Sequence, residues 1–313
     1  MRILITGSTG FLGGSLGRVA ARAGHEVIGT GRSSEPTNDC PGSYSSSDGS
    51  AESICEIANA SSPDIVFHGA GTASVSASLQ DPIQDFEGSV VTCANLLEGI
   101  RRSDCRPLIF IPSSAAIYGN ADSLPIGESA PSRPISPYGV HKSMCETLAR
   151  GWAEAFGLPI IVCRLFSVFG PTQRRLLIWE LFNQFSGPTD AATIEGTGSE
   201  SRDFLYVDDV ADAVLRLAGA PESRAPGYFE IVNMASGEET TVATLANHIR
   251  DLVAPGKQIH YRGLVRPGDP SNWRADTSKL TSMIPGWRPR RLLDALDSCV
   301  QSWQEASVFQ HGA

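Results

Sequence analysis

The sequence lacks the segments that mark membrane proteins and secreted disulfide scaffolds. No apolar run approaches the roughly 18 residues that a helix needs to span a bilayer. Met1-Arg2 leads directly into Ile3-Leu4-Ile5 without a basic, apolar leader. The seven cysteines are odd in number and include no C-x-x-C pair, which favours reduced thiols over a disulfide framework or a zinc site. We therefore expect a cytoplasmic protein that holds no metal and does not act at a membrane.

An excess of positive charge is also lacking. The formal net charge is -9 over 313 residues, which argues against nucleic acid or an anionic membrane surface as the main partner. The length suits one large domain or two coupled ones. Because the chain has no internal repeat and no long low-complexity linker, we expect interleaved lobes rather than lobes separated by a hinge.

The N-terminal segment has the pattern of a dinucleotide-binding unit. Residues 2–6 form a short apolar strand, which breaks at a glycine-rich turn and is followed by a helix. Glycines in such a turn allow a tight bend and the close approach of a pyrophosphate, and the helix N-terminus faces the phosphates. The spacing is G-x-x-G-x-x-G rather than the common G-x-G-x-x-G. We predict cofactor contacts from Gly7, Thr9, Gly10, Phe11, Leu12 and Gly13.

The second strand, residues 26–30, indicates which dinucleotide binds. A free ribose 2′-hydroxyl is met by a carboxylate near the end of this strand, whereas a 2′-phosphate is met by an arginine. Arg32 stands there and no acid does, so we predict NADP, with NAD possible. The alternatives are that Arg32 is a surface residue or stacks on the adenine of either cofactor. Asp48 is placed to meet an adenine amino group or to cap the helix that starts near Ala51.

A second turn of small residues follows the buried strand at 64–67. It reads His68-Gly69-Ala70-Gly71, and small residues let the backbone approach a ligand closely. We expect Ala70 to line the cofactor and Thr72 to contact the substrate. His68 is expected to be a packed histidine rather than a catalytic base, because no acid partner stands beside it.

Later in the chain, Ser114, Tyr138 and Lys142 form a candidate proton-transfer site. The strand at 108–111 delivers Ser113 and Ser114 at its C-terminal end, where ligands sit in doubly wound sheets. Tyr138 and Lys142 follow a Ser-Pro helix start and are four residues apart, so they share one helix face. A lysine ammonium near a phenol favours the phenolate. Such a pair also arises by chance on a solvated helix, and the glycine-rich turn is what favours the functional interpretation.

The order of elements predicts the fold class. Strands alternate with helices over residues 1–170, which predicts an α/β, doubly wound parallel (Rossmann) sheet covered on both faces. We expect 203–235 to return to this dinucleotide-binding domain. The segments 171–202 and 236–313 are expected to form a smaller, mixed α/β substrate-binding lobe. The helices near 82–102 and 138–156 carry apolar stripes that suit the core or a homodimer surface.

Motifs along nearly the whole chain resemble the extended short-chain dehydrogenase/reductases, specifically their nucleotide-sugar epimerase/dehydratase/reductase family. The motifs are TGSTGFLG, HGAG, SSAAIYG, YGVHK, RLFSVFGP, RDFLYVDDVADA and RPGDP. The resemblance implies that Tyr138 is the catalytic acid/base, that Lys142 binds the nicotinamide ribose, and that Ser114 orients the reacting sugar oxygen.

The resemblance also implies a site for a nucleoside-diphosphate sugar. Arg202 and Arg266 match family arginines that grip the substrate diphosphate, which suits a fork of donors. Ser113 and Ser167 are further candidates for substrate contact. The family often has Asn in the segment that reads Phe166-Ser167-Val168 here, so Ser167 is expected to make fewer contacts.

Two alanines narrow the expected reaction. The family's 4,6-dehydratases resemble each other in an Asp-Glu pair directly after the active-site hydroxyl, where this chain has Ala115 and Ala116. Neither alanine can move a proton, which argues against that elimination. Hydride transfer at a sugar carbon, expected to be C4, remains. The NADP preference favours an NADPH-linked 4-ketoreductase, and the alternatives are a 4-epimerase with a tightly held cofactor and a non-catalytic dinucleotide sensor.

Overall fold

The computed structural model describes residues 1–36, 41–264 and 271–311, of which 307–311 are described by their backbone alone. The strands, in chain order, are β1 (Arg2–Thr6), β2 (Glu26–Gly31), β3 (Ser43–Ser46), β4 (Ile65–His68), β5 (Leu108–Ser114), β6 (Ile160–Leu165), β7 (Ser167–Phe169), β8 (Ala191–Ile194), β9 (Ser201–Arg202), β10 (Phe204–Tyr206), β11 (Phe229–Met234), β12 (Thr240–Thr241) and β13 (Gln258–Tyr261). The helices are α1 (Phe11–Arg22), α2 (Ala51–Ser61), α3 (Val75–Gln80), α4 (Pro82–Phe86), α5 (Thr92–Arg102), α6 (Pro137–Phe156), α7 (Leu176–Ser186), α8 (Val207–Ala218), α9 (Val242–Val253), α10 (Ser278–Met283) and α11 (Leu292–His311).

In the described part of the chain, the central sheet has seven strands, in the order β11-β6-β5-β4-β1-β2-β3. Every pairing within it is parallel. The strand order reverses between β1 and β4, which is the point where doubly wound sheets bind ligands at their C-terminal edge. The predicted fold class is confirmed.

Two apolar layers cover the sheet because its strands alternate their side chains between the faces. Ile3 and Ile5 of β1 pack on one face with residues of α1 and α8. Leu4 packs on the opposite face with residues of α2, α5 and α6. Both faces are therefore buried, which explains the continuous apolar runs in the sequence.

The helical region predicted for residues 82–102 is interrupted. A π-helical turn, Glu87–Val91, lies between α4 and α5. The hydroxyl of Thr92 donates to the carbonyls of Gly88 and Ser89 at 2.8 and 3.1 Å. A threonine hydroxyl that bonds to the carbonyls of the preceding turn perturbs the regular helical hydrogen bonding. The apolar periodicity of the sequence does not reveal this π-helical turn.

A smaller group of elements has its own apolar core. Residues of α7, α9 and α11 pack with β8 and β10, and Trp303 is fully buried among them. The strands β8 and β13 pair in parallel. The segment that carries α10 and Trp287 instead packs against the central sheet, with Leu280 and Ile284. Among the residues that the structure describes, no helix is both long and apolar enough to cross a membrane.

Candidate active site

The glycine-rich turn forms a close-packed cradle at the end of β1. Gly7 has a φ of +63°, and a Cβ there would lie 2.6 Å from the Ala70 nitrogen. A Cβ at Gly13 would lie 2.4 Å from the Gly7 oxygen. These two positions therefore accept only glycine, and they bring the turn against the backbone that follows β4.

The first turn of α1 is open to an anion. The helix begins after Gly10, which provides no side-chain cap, and its first turn carries no acidic residue. Thr9 and Gly10 are exposed, and Phe11 and Leu12 are half-buried. Free N–H groups at a helix N-terminus favour a phosphate. The cradle and this open turn fit a dinucleotide pyrophosphate, as the sequence predicts, although the individual contacts stay predictions.

His68 joins the cradle to the turn after β4. Its Nδ1 lies 3.1 Å from Thr6 Oγ1, and the same oxygen accepts the N–H of Ala70 at 3.3 Å. Burial, with a smaller effect of the Lys142 ammonium, lowers the pKa of His68 to about 3. The imidazole is therefore neutral near pH 7 and can accept the threonine proton, which agrees with a packed rather than a catalytic histidine.

The end of β2 presents Arg32 to solvent. Tyr44 of β3 donates to the carbonyl of Ser33 at 3.0 Å and so holds the backbone beside it. Asp48 is exposed and accepts the backbone N–H of Ser50 at 2.8 Å. The N–H and hydroxyl of Ser50 lower the pKa of Asp48. Ser50 itself caps α2, so Asp48 supports the cap rather than providing it.

The structure brings Ser114, Tyr138 and Lys142 to one place at the C-terminal edge of β5. Lys142 Nζ lies 5.6 Å from the centre of the Tyr138 ring and donates to the carbonyl of Pro112 at 3.4 Å. Ser114 caps the short 3₁₀ turn that follows β5 and accepts the N–H of Ala116 at 3.1 Å. The catalytic roles of the three residues stay a prediction.

Local sequence explains why α6 starts where it does. Ser136 caps the helix by accepting the N–H of Gly139 at 3.2 Å, and Pro137 occupies the first turn, a favourable position for proline. A Cβ at Gly139 would lie 2.7 Å from the carbonyl oxygen of Ala116. The glycine therefore lets the start of α6 approach the backbone that follows Ser114. Tyr138 N also donates to Ser78 Oγ of α3 at 3.1 Å.

Ser113 and Thr72 have intramolecular partners. Ser113 is buried, and its hydroxyl donates to Glu146 Oε1 at 2.5 Å. Thr72 donates to Asp85 Oδ1 at 2.5 Å, and the other oxygen of Asp85 lies 2.6 Å from His141 Nδ1. The Ser113 hydroxyl is thus bonded to a side chain of α6, and the Thr72 hydroxyl to a side chain of α4. Direct substrate contact by either residue stays a prediction.

The remaining candidates lie on the side of the smaller lobe. Ser167 starts β7 and donates its backbone N–H to the carbonyl of Asp203 at 2.9 Å. The guanidinium of Arg202 lies 5.4 Å from the centre of the Trp273 ring and donates to the carbonyl of Ser271 at 3.1 Å. Arg266 lies outside the described residues. Among the described residues, no cluster of three or more side chains suits a metal ion.

Ala115 and Ala116 are buried in an apolar cluster with Ile117 and Phe166. No proton-transfer group stands at these two positions. The sequence prediction missed three charged or polar groups beneath the site, namely Tyr118, Glu146 and Arg164. Arg164 was visible as the one charge within the apolar run Ile160-Ile161-Val162-Cys163-Arg164-Leu165, and a buried arginine in a strand requires a partner.

The fold and this constellation define a Rossmann-type dinucleotide-binding protein with a serine-tyrosine-lysine site. Comparison with known proteins agrees: the NAD dependent epimerase/dehydratase family matches residues 3–235. The chain therefore belongs to that family, and the resemblance seen in the motifs is confirmed.

Individual relatives resemble the chain over nearly its whole length. A putative UDP-glucose 4-epimerase of Methanocaldococcus jannaschii is 28% identical over 302 residues, covering 92% of this chain and 93% of that protein. The solved structure of a UDP-glucose 4-epimerase with UDP-glucose from Thermotoga maritima has a TM-score of 0.86 at 27% identity, covering 98% of this chain and 100% of the other. MoeE5 in complex with UDP-glucose and NAD has a TM-score of 0.85 at 26% identity, with the same coverage.

Proposed function

We propose that the protein is a 4-epimerase of a nucleoside-diphosphate sugar. The observation that carries the proposal is the placement of Ser114, Tyr138 and Lys142 at the sheet edge beside the glycine cradle. The two buried alanines after Ser114 leave that trio without the carboxylates of a 4,6-dehydratase. The trio thus suits redox chemistry at one sugar carbon with a single shuttled proton.

Each member of the trio has a distinct task. Tyr138 takes the proton of the sugar C4 hydroxyl and later returns it to the same oxygen, once the 4-keto sugar presents its opposite face for re-reduction. Lys142 places a positive charge beside the phenol, 5.6 Å from the centre of the ring. Ser114 donates a hydrogen bond to the reacting oxygen. A nicotinamide dinucleotide, when bound, would reversibly accept the hydride from the sugar C4.

The relatives favour an epimerase over the ketoreductase that the sequence alone favoured. Two of the named relatives are described as UDP-glucose 4-epimerases, whereas the ketoreductase rested mainly on Arg32. An epimerase regenerates its cofactor within each turnover, but a ketoreductase consumes one reduced dinucleotide per sugar. The sensor alternative is disfavoured by the presence of the complete trio.

Stoichiometry tests the reaction. We expect the enzyme to interconvert the two C4 epimers of a UDP-hexose, which chromatography of the products measures. We expect no net change in dinucleotide absorbance at 340 nm. Depletion of NADPH one for one against a keto sugar would establish the ketoreductase instead. Tyr138→Phe should abolish turnover and keep dinucleotide binding, and full turnover in that variant would refute the mechanism.

We also propose that Arg32 allows NADP to bind. It is exposed at the end of β2, and residues 30–33 contain no carboxylate. NAD is the alternative, which the family description and the NAD complex of MoeE5 favour. Titration of wild type and Arg32→Ala with both dinucleotides separates the two. A loss of affinity confined to NADP supports the role of Arg32, and unchanged NADP affinity contradicts it.

The substrate is proposed to bind between the sheet edge and the smaller lobe, formed by 171–202 and by 236–313 apart from the α10 segment. Arg202 and Arg266 are proposed to hold its diphosphate. A thermal-shift panel of sugar nucleotides identifies the preferred base and sugar. Arg202→Ala should weaken binding of UDP and of the UDP-sugar alike, because both carry the diphosphate.

A homodimer through α3, α4 and α6 is a further part of the proposal. Large apolar side chains are exposed on these neighbouring helices, including Ile83 at 68%, Leu79 at 47% and Val140 at 42%. An apolar face of this kind suits a second copy of the chain. Light scattering after size exclusion should report a dimer for wild type and a monomer for Ile83→Asp. A monomeric wild type would exclude the interface.

A further inference from the structure

A buried ion pair lies directly beneath the candidate active site. Arg164 of β6 and Glu146 of α6 are 6% and 7% exposed. Arg164 Nε donates to Glu146 Oε1 at 3.0 Å, and Nη2 donates to Oε2 at 2.7 Å. This two-pronged geometry fixes the direction of both side chains, because a planar guanidinium matches a carboxylate in only a few orientations.

The carboxylate connects the pair to the catalytic residues. Glu146 follows Lys142 by four residues on α6, so the two lie one above the other on the same helix face. Its Oε1 also accepts the hydroxyl of Ser113 at 2.5 Å, and Ser113 directly precedes Ser114. One buried carboxylate thus ties the end of β5 to the helix that carries Tyr138.

The remaining guanidinium nitrogen, Nη1, has different hydrogen-bond partners. Arg164 Nη1 donates to the hydroxyl of Tyr118 at 2.9 Å and to the carbonyl of Glu128 at 2.8 Å. Tyr118 ends the 3₁₀ turn that Ser114 caps, and its hydroxyl donates to Asn233 Oδ1 at 2.7 Å. Burial raises the pKa of Tyr118 to about 12, so the phenol keeps its proton and remains a donor.

Asn233 extends the network toward the substrate side. Its backbone N–H donates to Glu128 Oε1 at 2.8 Å, and its Nδ2 donates to the carbonyl of Ile126 at 2.8 Å. Ile126 pairs with Ala275 in an isolated parallel bridge, and a second bridge joins Asn272 to Ser201, beside Arg202. The segments around Ile126 and Ala275, on the side proposed for the substrate, are therefore linked to the same network.

Stability alone does not account for such a group. The desolvation of a buried ion pair offsets much of its attraction, and well-packed apolar residues often do as well. What apolar residues cannot provide is a fixed direction toward several partners at once. We propose that Arg164 is a positioning residue, which through Glu146 and Tyr118 holds Ser114, the Tyr138–Lys142 helix and these segments on the proposed substrate side in one relative placement. The proposal rests on the proposed epimerase function.

Two conservative variants test it. Tyr118→Phe removes one hydroxyl and keeps the ring, and Arg164→Lys keeps the charge but cannot reach Glu146 and Tyr118 with fixed geometry. In each we expect kcat per folded active site to fall about tenfold or more, since small misplacements of reacting groups are costly. The dinucleotide Kd should change by less than about twofold. Tyr228→Phe and Arg216→Lys are the matched controls. Tyr228 precedes β11 at the N-terminal end of the sheet strands, away from the site, and Arg216 pairs on the surface with Asp212.

A second measurement does not depend on activity. Native-state hydrogen exchange should speed up in both variants at residues 113–118 and 138–146, and remain unchanged in β1 and α1. Wild-type kcat in both variants would overturn the proposal, and so would faster exchange spread evenly over the chain, which indicates general destabilisation. If wild type turns over no sugar nucleotide, the proposed function fails, while the exchange pattern still decides whether Arg164 positions these segments.

Discussion

Replacing His68 with asparagine should make the protein less sensitive to acid. The imidazole has an ordinary pKa of about 6.5 in the unfolded chain, whereas burial and the Lys142 ammonium lower the pKa of His68 to about 3 in the folded protein. Between these values the unfolded chain binds one proton more than the folded one. Unfolding then takes up a proton, so stability falls as the pH falls below about 6.5 and continues to fall toward pH 3.

The size of the effect follows from the two pKa values. At pH 5.0 the histidine accounts for about 1.5 pH units of linkage, or about 2 kcal/mol of lost stability. Urea unfolding of wild type and His68→Asn at pH 7.5 and 5.0 measures it, because contributions of other groups cancel in the difference between the proteins. We expect wild type to lose about 2 kcal/mol more than the variant. His260→Asn, an exposed control, should behave like wild type. Equal losses in wild type and His68→Asn would refute the reasoning.

Three further substitutions test the packing. Gly13→Ala should weaken dinucleotide binding at least tenfold in a titration, because its Cβ would lie 2.4 Å from the Gly7 oxygen; wild-type affinity would contradict the cradle. Gly151→Ala, within α6 and with nothing within 4 Å of the new Cβ, should raise stability by about 0.5–1 kcal/mol in urea unfolding, and a loss would be the contrary result. Leu245→Ala removes a fully buried side chain of the smaller lobe and should cost about 2–5 kcal/mol, whereas a cost below about 1 kcal/mol would show that this core is loosely packed.

The parts of the molecule that depend on local pattern were predictable from the sequence. The glycine turn, the alternation of strands and helices, and the four-residue spacing of Tyr138 and Lys142 each follow from neighbouring residues. The helix α6 was predicted for 138–156 and spans Pro137–Phe156, because Ser136, Pro137 and Gly157 mark its ends. The return of the chain to the sheet as β11 was also expected, since an apolar strand follows the helix α8.

Other features depend on residues far apart in the chain. Ser113 follows a buried strand as a ligand-binding serine would, but its partner Glu146 is 33 residues away. Thr72 likewise bonds to Asp85, which lies 13 residues later in α4. The parallel pairing of β8 with β13 joins segments more than 60 residues apart. Hydrophobic periodicity contains no information on such partners, so the buried polar network needed the structure.

The late arrival of β11 has a consequence for how the protein is made. The chain leaves the sheet after β6 at Leu165 and returns at Phe229, and β11 then pairs along all six residues of β6. During synthesis the outer edge of β6 therefore waits unpaired until about 70 further residues have left the ribosome. An apolar strand with an open edge is prone to pair with other chains. A gene fragment that ends near residue 170 should consequently yield aggregated material, whereas a fragment that extends past β11 covers this edge.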